Sequence, residues 1–206
     1  MNLNFPLHPK QKLALRSEAN EILYGGAAGG GKSYLMRALA ITACLSVKGF
    51  QVYLFRRLSV DLEKNHIEGV SGLRGLLAPL IECGICKIIK NQVRFTNGSK
   101  IHLCHCKDEK NITKYQGAEI DMLLIDEITH FTEVIYRFLR GRVRTTNLEA
   151  GRWGGRILVS GNPGGVGHLF VKKMFIDDVE PYAIRQMPED EGGMRRQFIP
   201  ARLHQY

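Results

Sequence analysis

The apolar positions of this chain fall into short runs of two kinds that alternate along it. Glu21–Tyr24, Gln51–Phe55, Asp121–Asp126 and Arg156–Ser160 read as strands. Met122-Leu123-Leu124-Ile125 is apolar without a break, as a strand buried on both faces should be. Between these runs lie segments of helical period: Ser33–Val47, which ends at Gly49, then Ser59–Gly69, Leu73–Glu82 and Glu133–Leu139. Gln92–Thr96 and Lys100–Cys106 alternate in polarity, and Asn97-Gly98 between them is a strong hairpin signal. Strand followed by helix, repeated, predicts an α/β fold: a mainly parallel central sheet flanked by helices, with the hairpin as an insertion. After Asp177 the pattern is lost. Glu180-Pro181 and Pro188-Glu189-Asp190-Glu191-Gly192-Gly193 read as loop, so the expected division is a domain over 1–178 and a linker-like segment over 179–206.

The first strand runs into Gly26-Ala27-Ala28-Gly29-Gly30-Gly31-Lys32-Ser33, which fits G-x-x-x-x-G-K-[ST]. Binding phosphate takes several backbone N–H groups converging on one point, which side chains at the glycine positions would obstruct. The helix that follows adds its positive N-terminal end. Lys32 is expected to reach the β- and γ-phosphates of a nucleotide and the Ser33 hydroxyl to ligate Mg²⁺. The bland reading, a glycine-rich turn preceding Lys-Ser, is weakened by the strand before and the helix after.

The buried run ending in Asp126-Glu127 places two carboxylates at a strand end. In P-loop NTPases a first acid at this place holds magnesium, and an adjacent glutamate can take a proton from the attacking water. Asp126 is the expected metal ligand and Glu127 the expected general base. Glutamate directly after aspartate points to hydrolysis rather than to transfer onto an acceptor.

With Pro9-Lys10-Gln11 upstream and Ser160-Gly161-Asn162-Pro163-Gly164-Gly165 downstream, these motifs stand in an order that resembles the ATPase domain of the large terminase subunit. That subunit is the motor that packages DNA into capsids of tailed bacteriophages and herpesvirus-type viruses. The resemblance runs from His8 to Ala201 and implies a P-loop NTPase fold of the ASCE/RecA-like kind, with ATP and Mg²⁺ as cofactors. It implies that Gln11 contacts the adenine edge and that Ser160-Gly161-Asn162 senses the γ-phosphate and couples hydrolysis to movement. The partners it implies are double-stranded viral DNA, a portal protein and a small terminase subunit. A homo-oligomeric ring docked transiently on a procapsid in the host cytoplasm goes with them. Such subunits usually carry a nuclease domain after the motor; this chain stops near where one would begin, and no nuclease residues are assigned.

A transition-state arginine is worth roughly 10³–10⁵ in rate, and its position is open. Gln116 stands where some relatives carry a basic residue, and Ala27–Gly30 contains none. Arg57 and Arg142 lead among Arg56, Arg57, Arg140, Arg142 and Arg144. Two readings compete with the motor: a helicase or translocase core, and a nucleotide-gated module with negligible turnover. The chain is short for two helicase cores, and intact Lys32, Asp126 and Glu127 speak against the gated module.

Charge sharpens the partner class. Lys and Arg number 29 against 20 Asp and Glu, a net charge of +9, which favours a polyanionic partner. Arg137, Arg140, Arg142, Arg144, Arg152 and Arg156 crowd one stretch and could meet DNA phosphates or a neighbouring subunit. Five cysteines, an odd number, fit a reducing compartment. The apolar run Ala38–Val47 is broken by Thr42 and Ser46 and is too short for a membrane span, and the N-terminus lacks a signal-peptide pattern. Cys83-x-x-Cys86 with His102, Cys104, His105 and Cys106 could be drawn as a zinc site, but buried free cysteines are the stronger expectation.

Overall fold

The computed structural model describes residues 5–26, 29–145 and 147–201. In chain order the elements are α1 (Pro9–Arg16), β1 (Glu21–Gly25), α2 (Lys32–Ser46), β2 (Gln51–Arg56) and α3 (Ser59–Leu62). A π-helical turn over Glu63–Ile67 leads to α4 (Leu73–Glu82), followed by β3 (Cys86–Ile89), β4 (Gln92–Phe95) and β5 (Lys100–His105). Then come β6 (Met122–Ile125), α5 (Glu133–Arg140), β7 (Arg156–Gly161), α6 (His168–Phe175), β8 (Ile184–Gln186) and β9 (Arg195–Pro200). The nine strands of the described residues form one sheet in the order β3-β4-β5-β2-β6-β7-β1-β9-β8. The six strands from β5 to β9 pair in parallel, with antiparallel β3 and β4 at one edge and β8 at the other.

Two-residue alternation divides the strand side chains between two cores. Ile22, Tyr24, Leu54, Leu124 and Leu158 pack with Leu35 and Leu39 of α2 and Leu73 and Leu77 of α4. Leu23, Phe55, Leu123, Ile125, Ile157 and Val159 pack with Ile135 and Leu139 of α5 and Val171 and Phe175 of α6. Burial on both faces explains the unbroken apolar run at 122–125, where each side chain contributes roughly 1.5–3 kcal/mol. Thr132 caps α5 by accepting from the Ile135 N–H at 3.4 Å.

Asn97-Gly98 does join an antiparallel pair, with Val93 opposite Ile101. That pair continues the main sheet: β5 is also parallel to β2, with Leu54 beside Leu103. Cys86 packs in the core on the α2 side, whereas Cys104 and Cys106 pack in the core on the α5 side. Among the described residues no group of three or more His, Cys, Asp or Glu is placed to hold a metal ion, and no helix is long and apolar enough to cross a membrane.

The linker-like reading of 179–206 does not survive, because residues 195–200 form β9, an inner strand directly beside β1. Its polar sequence concealed it. Arg196 is 2% exposed and is compensated by Glu21 at the start of β1, with Nε to Oε2 at 2.7 Å. The other oxygen of Glu21 faces Arg140 Nε at 3.0 Å and accepts the Tyr136 hydroxyl. One fully buried carboxylate thus pairs with two guanidiniums from two different elements, and Glu191 Oε2, 3.6 Å from Arg196 Nη2, adds a second anion. Removing one member of such a set leaves uncompensated buried charge, costing about 3–5 kcal/mol. We expect Glu21→Ala to lower the unfolding free energy by that amount in urea titrations; a loss below about 1 kcal/mol would mean that β9 docks without its charge pair.

Candidate active site

The C-terminal ends of β1, β2, β6 and β7 converge on the turn between β1 and α2. An anion site needs the N–H groups of that turn turned inward, so its carbonyls must be held elsewhere. Three side chains do this. Gln11 Nε2 donates to the Gly31 carbonyl at 2.9 Å while its Oε1 accepts from the His8 N–H at 3.0 Å. The Tyr24 hydroxyl donates to the Gly30 carbonyl at 3.2 Å, and His8 Nε2 lies 3.3 Å from both groups. Gly31 adopts φ 66°, and a Cβ there would fall 2.5 Å from Gln11 Nε2, so only glycine fits. Gly26, Gly29 and Gly30 complete the described part of the turn; Ala27 and Ala28 lie outside the described residues.

Asp126, fully buried at the end of β6, is the hub. Its Oδ2 accepts from the Ser33 hydroxyl at 2.9 Å, from Arg56 Nε at 3.1 Å and from His66 Nε2 at 2.8 Å. Its Oδ1 accepts from the Ser160 hydroxyl at 2.6 Å. Burial by itself would raise the pKa of Asp126. The His66 hydrogen bond, the Arg56 guanidinium and the Ser160 hydroxyl outweigh it and hold the carboxyl well below its usual range. His66 shifts the other way from its own ordinary value. Burial lowers its pKa against the pull of Asp126, and Arg37 and Arg56 add to the lowering. At neutral pH it is therefore a neutral imidazole donating Nε2–H. Burial also lowers the Lys32 pKa, against the pull of Glu127 and Asp126.

Asn162 joins three parts of the site. Its Oδ1 accepts from Lys32 Nζ at 2.7 Å, its backbone N–H and Nδ2 donate to the two Glu127 oxygens at 3.3 Å, and its carbonyl accepts from the Thr129 hydroxyl at 3.0 Å. Glu127 itself is in the left-handed region, φ 57° and ψ 57°. That is strained for a residue with a side chain, and such strain gathers at functional positions.

The structure therefore brings together Gln11, the glycines of the turn, Lys32, Ser33, Asp126, Glu127, Ser160 and Asn162. Arg57 is exposed at the rim, with Nε 3.4 Å from the Lys107 carbonyl. Arg142 is not brought to the site. It binds the Gln116 carbonyl at 2.9 Å and stacks on Phe138, next to the Ile120–Val143 bridge at the far end of β6. Six extended residues, roughly 20 Å, separate Ile120 from Asp126. The arginine-dense stretch does not make one face either. Arg137 pairs with Glu133, Arg140 with Glu21 and Arg144 with Glu119, while Arg156 is buried.

Arg56, rather than the favoured Arg57, is the arginine that reaches Asp126; its signal in the sequence is its place as the last residue of the strand beside β6. His66 carries no such signal, because the π-helical turn that turns this side chain inward has no signature beyond a generic helical pattern. His8 and Tyr24 were missed as clamps, although Tyr24 directly precedes the glycine run.

Residues 23–145 match the family model described as terminase large subunit, T4likevirus-type, N-terminal. No curated protein matches the chain by sequence. Among solved structures the chain is similar to the large terminase from a thermophilic bacteriophage. Identity is 17% and the TM-score 0.66, over 95% of this chain and 46% of that one. It is similar to the large terminase ATPase domain of Thermus phage P74-26, at 16% identity and a TM-score of 0.61, over 96% and 81%. A third likeness is the N-terminal domain of the DNA packaging ATPase from bacteriophage phi29, at 13% identity and a TM-score of 0.57, over 93% and 95%. The first of these three proteins has been solved with ATP-gamma-S and with ADP. The likeness at these identities is one of fold, and the chain spans less than half the length of that first protein.

The buried cluster dictates a pH response. Between its lowered folded pKa and the ordinary value near 6.5, His66 takes up a proton only when unfolded, so stability falls as pH drops below about 6.5. Asp126, with its folded pKa depressed, adds a second loss as pH falls below about 4. His66→Gln keeps an N–H for Asp126 and removes the first loss. Between pH 6.5 and 5 its unfolding free energy should depend on pH less steeply than wild type, by up to about 1.4 kcal/mol per pH unit. Comparing the two proteins isolates His66 from His102 and His105, which burial shifts in the same direction. Identical slopes would mean that His66 ionises as readily folded as unfolded.

Proposed function

We propose, on the premise that the chain belongs to the T4likevirus-type family of terminase large subunits through its N-terminal region, that it is a magnesium-dependent ATPase whose hydrolysis drives double-stranded DNA into a procapsid. The observation that carries this reading is the bonding of Asn162 to both Lys32 and Glu127. It ties the group that would meet the γ-phosphate to the group that would activate water.

In this reading the turn from Gly26 to Gly31 cradles the phosphates with its N–H groups, and Lys32 leaves Asn162 to meet the γ-phosphate. Ser33 and Asp126 hold the magnesium ion, a fit favoured by an anionic carboxylate already hydrogen-bonded to that serine. When bound, the ion neutralises charge on the phosphate oxygens. Glu127 accepts a proton from the water that attacks the γ-phosphorus, the bond to the β-phosphate oxygen breaks, and ADP and phosphate result. Once Lys32 is drawn away, Asn162 is held by Glu127 and Thr129 alone, so occupancy of the site is passed to the end of β7.

Gln11 has spent one amide hydrogen and one lone pair on the clamp. Its remaining donor and acceptor are what an adenine edge would take, and being 2% exposed it requires its surroundings to yield. For a role within the same chain Arg57 at the rim stands ahead, with Arg56 beside it on Asp126; Arg142, remote from the site, is left to a neighbouring subunit in a ring. DNA, a portal protein and a small terminase subunit are the proposed partners, in the cytoplasm of the host.

The test is Mg²⁺-ATP turnover per chain over a range of protein concentrations, beside Glu127→Gln. Turnover should drop about 10²- to 10⁴-fold in the variant while ATP binding persists. Turnover that rises with concentration assigns the arginine to a neighbour, and constant turnover places it within the chain and moves Arg57 ahead. ATP binding with no turnover at any concentration would make the chain a nucleotide-gated module instead.

A further inference from the structure

At the end of the sheet opposite the phosphate turn, a cleft opens beneath the first residues of β7 and β9. Its walls carry four arginines: Arg16 closing α1, Arg152 before β7, Arg156 opening β7 and Arg195 opening β9. Among the described residues lining it, the one carboxylate is Glu18. Glu18 lies 3.6 Å from Arg195 with its own side chain 80% exposed, a pairing that water largely screens.

Arg156 is the telling member. It is 2% exposed and gives one N–H to the Ala14 carbonyl at 2.5 Å. Its Nε–H is buried without an acceptor, and no carboxylate pairs with it among the described residues. Burial, and then the charge of Arg152, push its pKa down to about 10, which still leaves it cationic at neutral pH. A buried, unpaired guanidinium is costly, and in the same fold Arg140 and Arg196 share the Glu21 carboxylate. Arg152 is held at the rim by stacking over Trp153, 4.6 Å from the ring centre. Beside it Gly151 presents bare backbone, since a Cβ there would meet nothing within 4 Å.

We infer that this cleft binds phosphates of the duplex DNA backbone, with Arg156 at its floor and Arg16, Arg152 and Arg195 at its rim. Planar guanidinium forks match phosphate oxygens better than any other side chain does. A single small anion would be met by the floor arginine alone; three further cations facing solvent suit a polyanion that continues past the cleft. The inference rests on the reading of DNA as the cargo.

The test measures binding of a labelled random-sequence duplex to the full chain from about 50 to about 200 mM salt. The variants are the double substitution Arg16→Gln with Arg152→Gln, both exposed and outside the ATP site, and Arg156→Lys. The double variant should bind at least about tenfold more weakly at the upper salt, with the slope of log affinity against log salt flattened by about two. Its ATP turnover without DNA should be unchanged. Arg156→Lys keeps the charge and loses the fork, and should weaken binding with little change in slope. Wild-type affinity and slope in the double variant would overturn the inference alone; no duplex binding by the wild type would overturn the DNA-motor reading with it. Inorganic pyrophosphate binding that disappears in the double variant, while duplex affinity does not move, would make the cleft a site for free anions and overturn its assignment to DNA.

Discussion

Everything at the C-terminal ends of the central strands hangs on one carboxylate kept ionised out of reach of water. Asp126 is fully buried and accepts from Ser33 at the start of α2, Arg56 at the end of β2, His66 in the π-helical turn and Ser160 near the end of β7. Four segments far apart in sequence are fixed at one point because each supplies a donor that a buried anion cannot do without. The same requirement sets the conformation around it: the π-helical turn exists where it brings His66 inward, and the next residue along from Asp126, Glu127, is bent into a left-handed conformation that regular structure would not select.

A second carboxylate, Glu21, does the corresponding work at the opposite end of β1. There the demand is charge neutrality rather than chemistry: two interior arginines from α5 and β9 share it, and a tyrosine hydroxyl completes its shell. The contrast with Arg156 is instructive. Arg140 and Arg196 are buried against a shared carboxylate, and Arg156 is buried without an ion pair among the described residues.

How much of this was legible in the sequence follows from what each position contributes. The phosphate turn and the Asp126-Glu127 pair could be read because their chemistry demands fixed residue types at fixed spacing beside an apolar run. The inner strands β2, β6 and β7 could be read because both faces are covered. Strand β9 could not, since Arg196 and Gln197 occupy interior positions and interior pairing leaves no hydrophobic pattern. Neither could the split of Arg137–Arg156 among separate partners: a dense run of like charge looks the same whether its members face one ligand or five different neighbours. Arg56 closes β2 and Arg57 lies just beyond it, so one reaches Asp126 and the other the rim, a distinction that the strand's exact end decides and composition does not.

The placement of β9 also governs the order in which the molecule can come into being. The strand that delivers the chain into the phosphate turn is flanked by β7 and β9, so Glu21 meets residues 157 and 196 as its sheet neighbours. Ala201 then donates to the Gly25 carbonyl at 2.7 Å and packs against Gly30. A chain emerging from the ribosome would expose its glycine-rich turn early and be unable to shape it until some 170 residues later, because contacts so distant in sequence form only after the long loop between them closes. The shape of the turn is thereby reserved for a chain that includes β9, and one broken off before it would carry the motif without the contacts that fix its geometry.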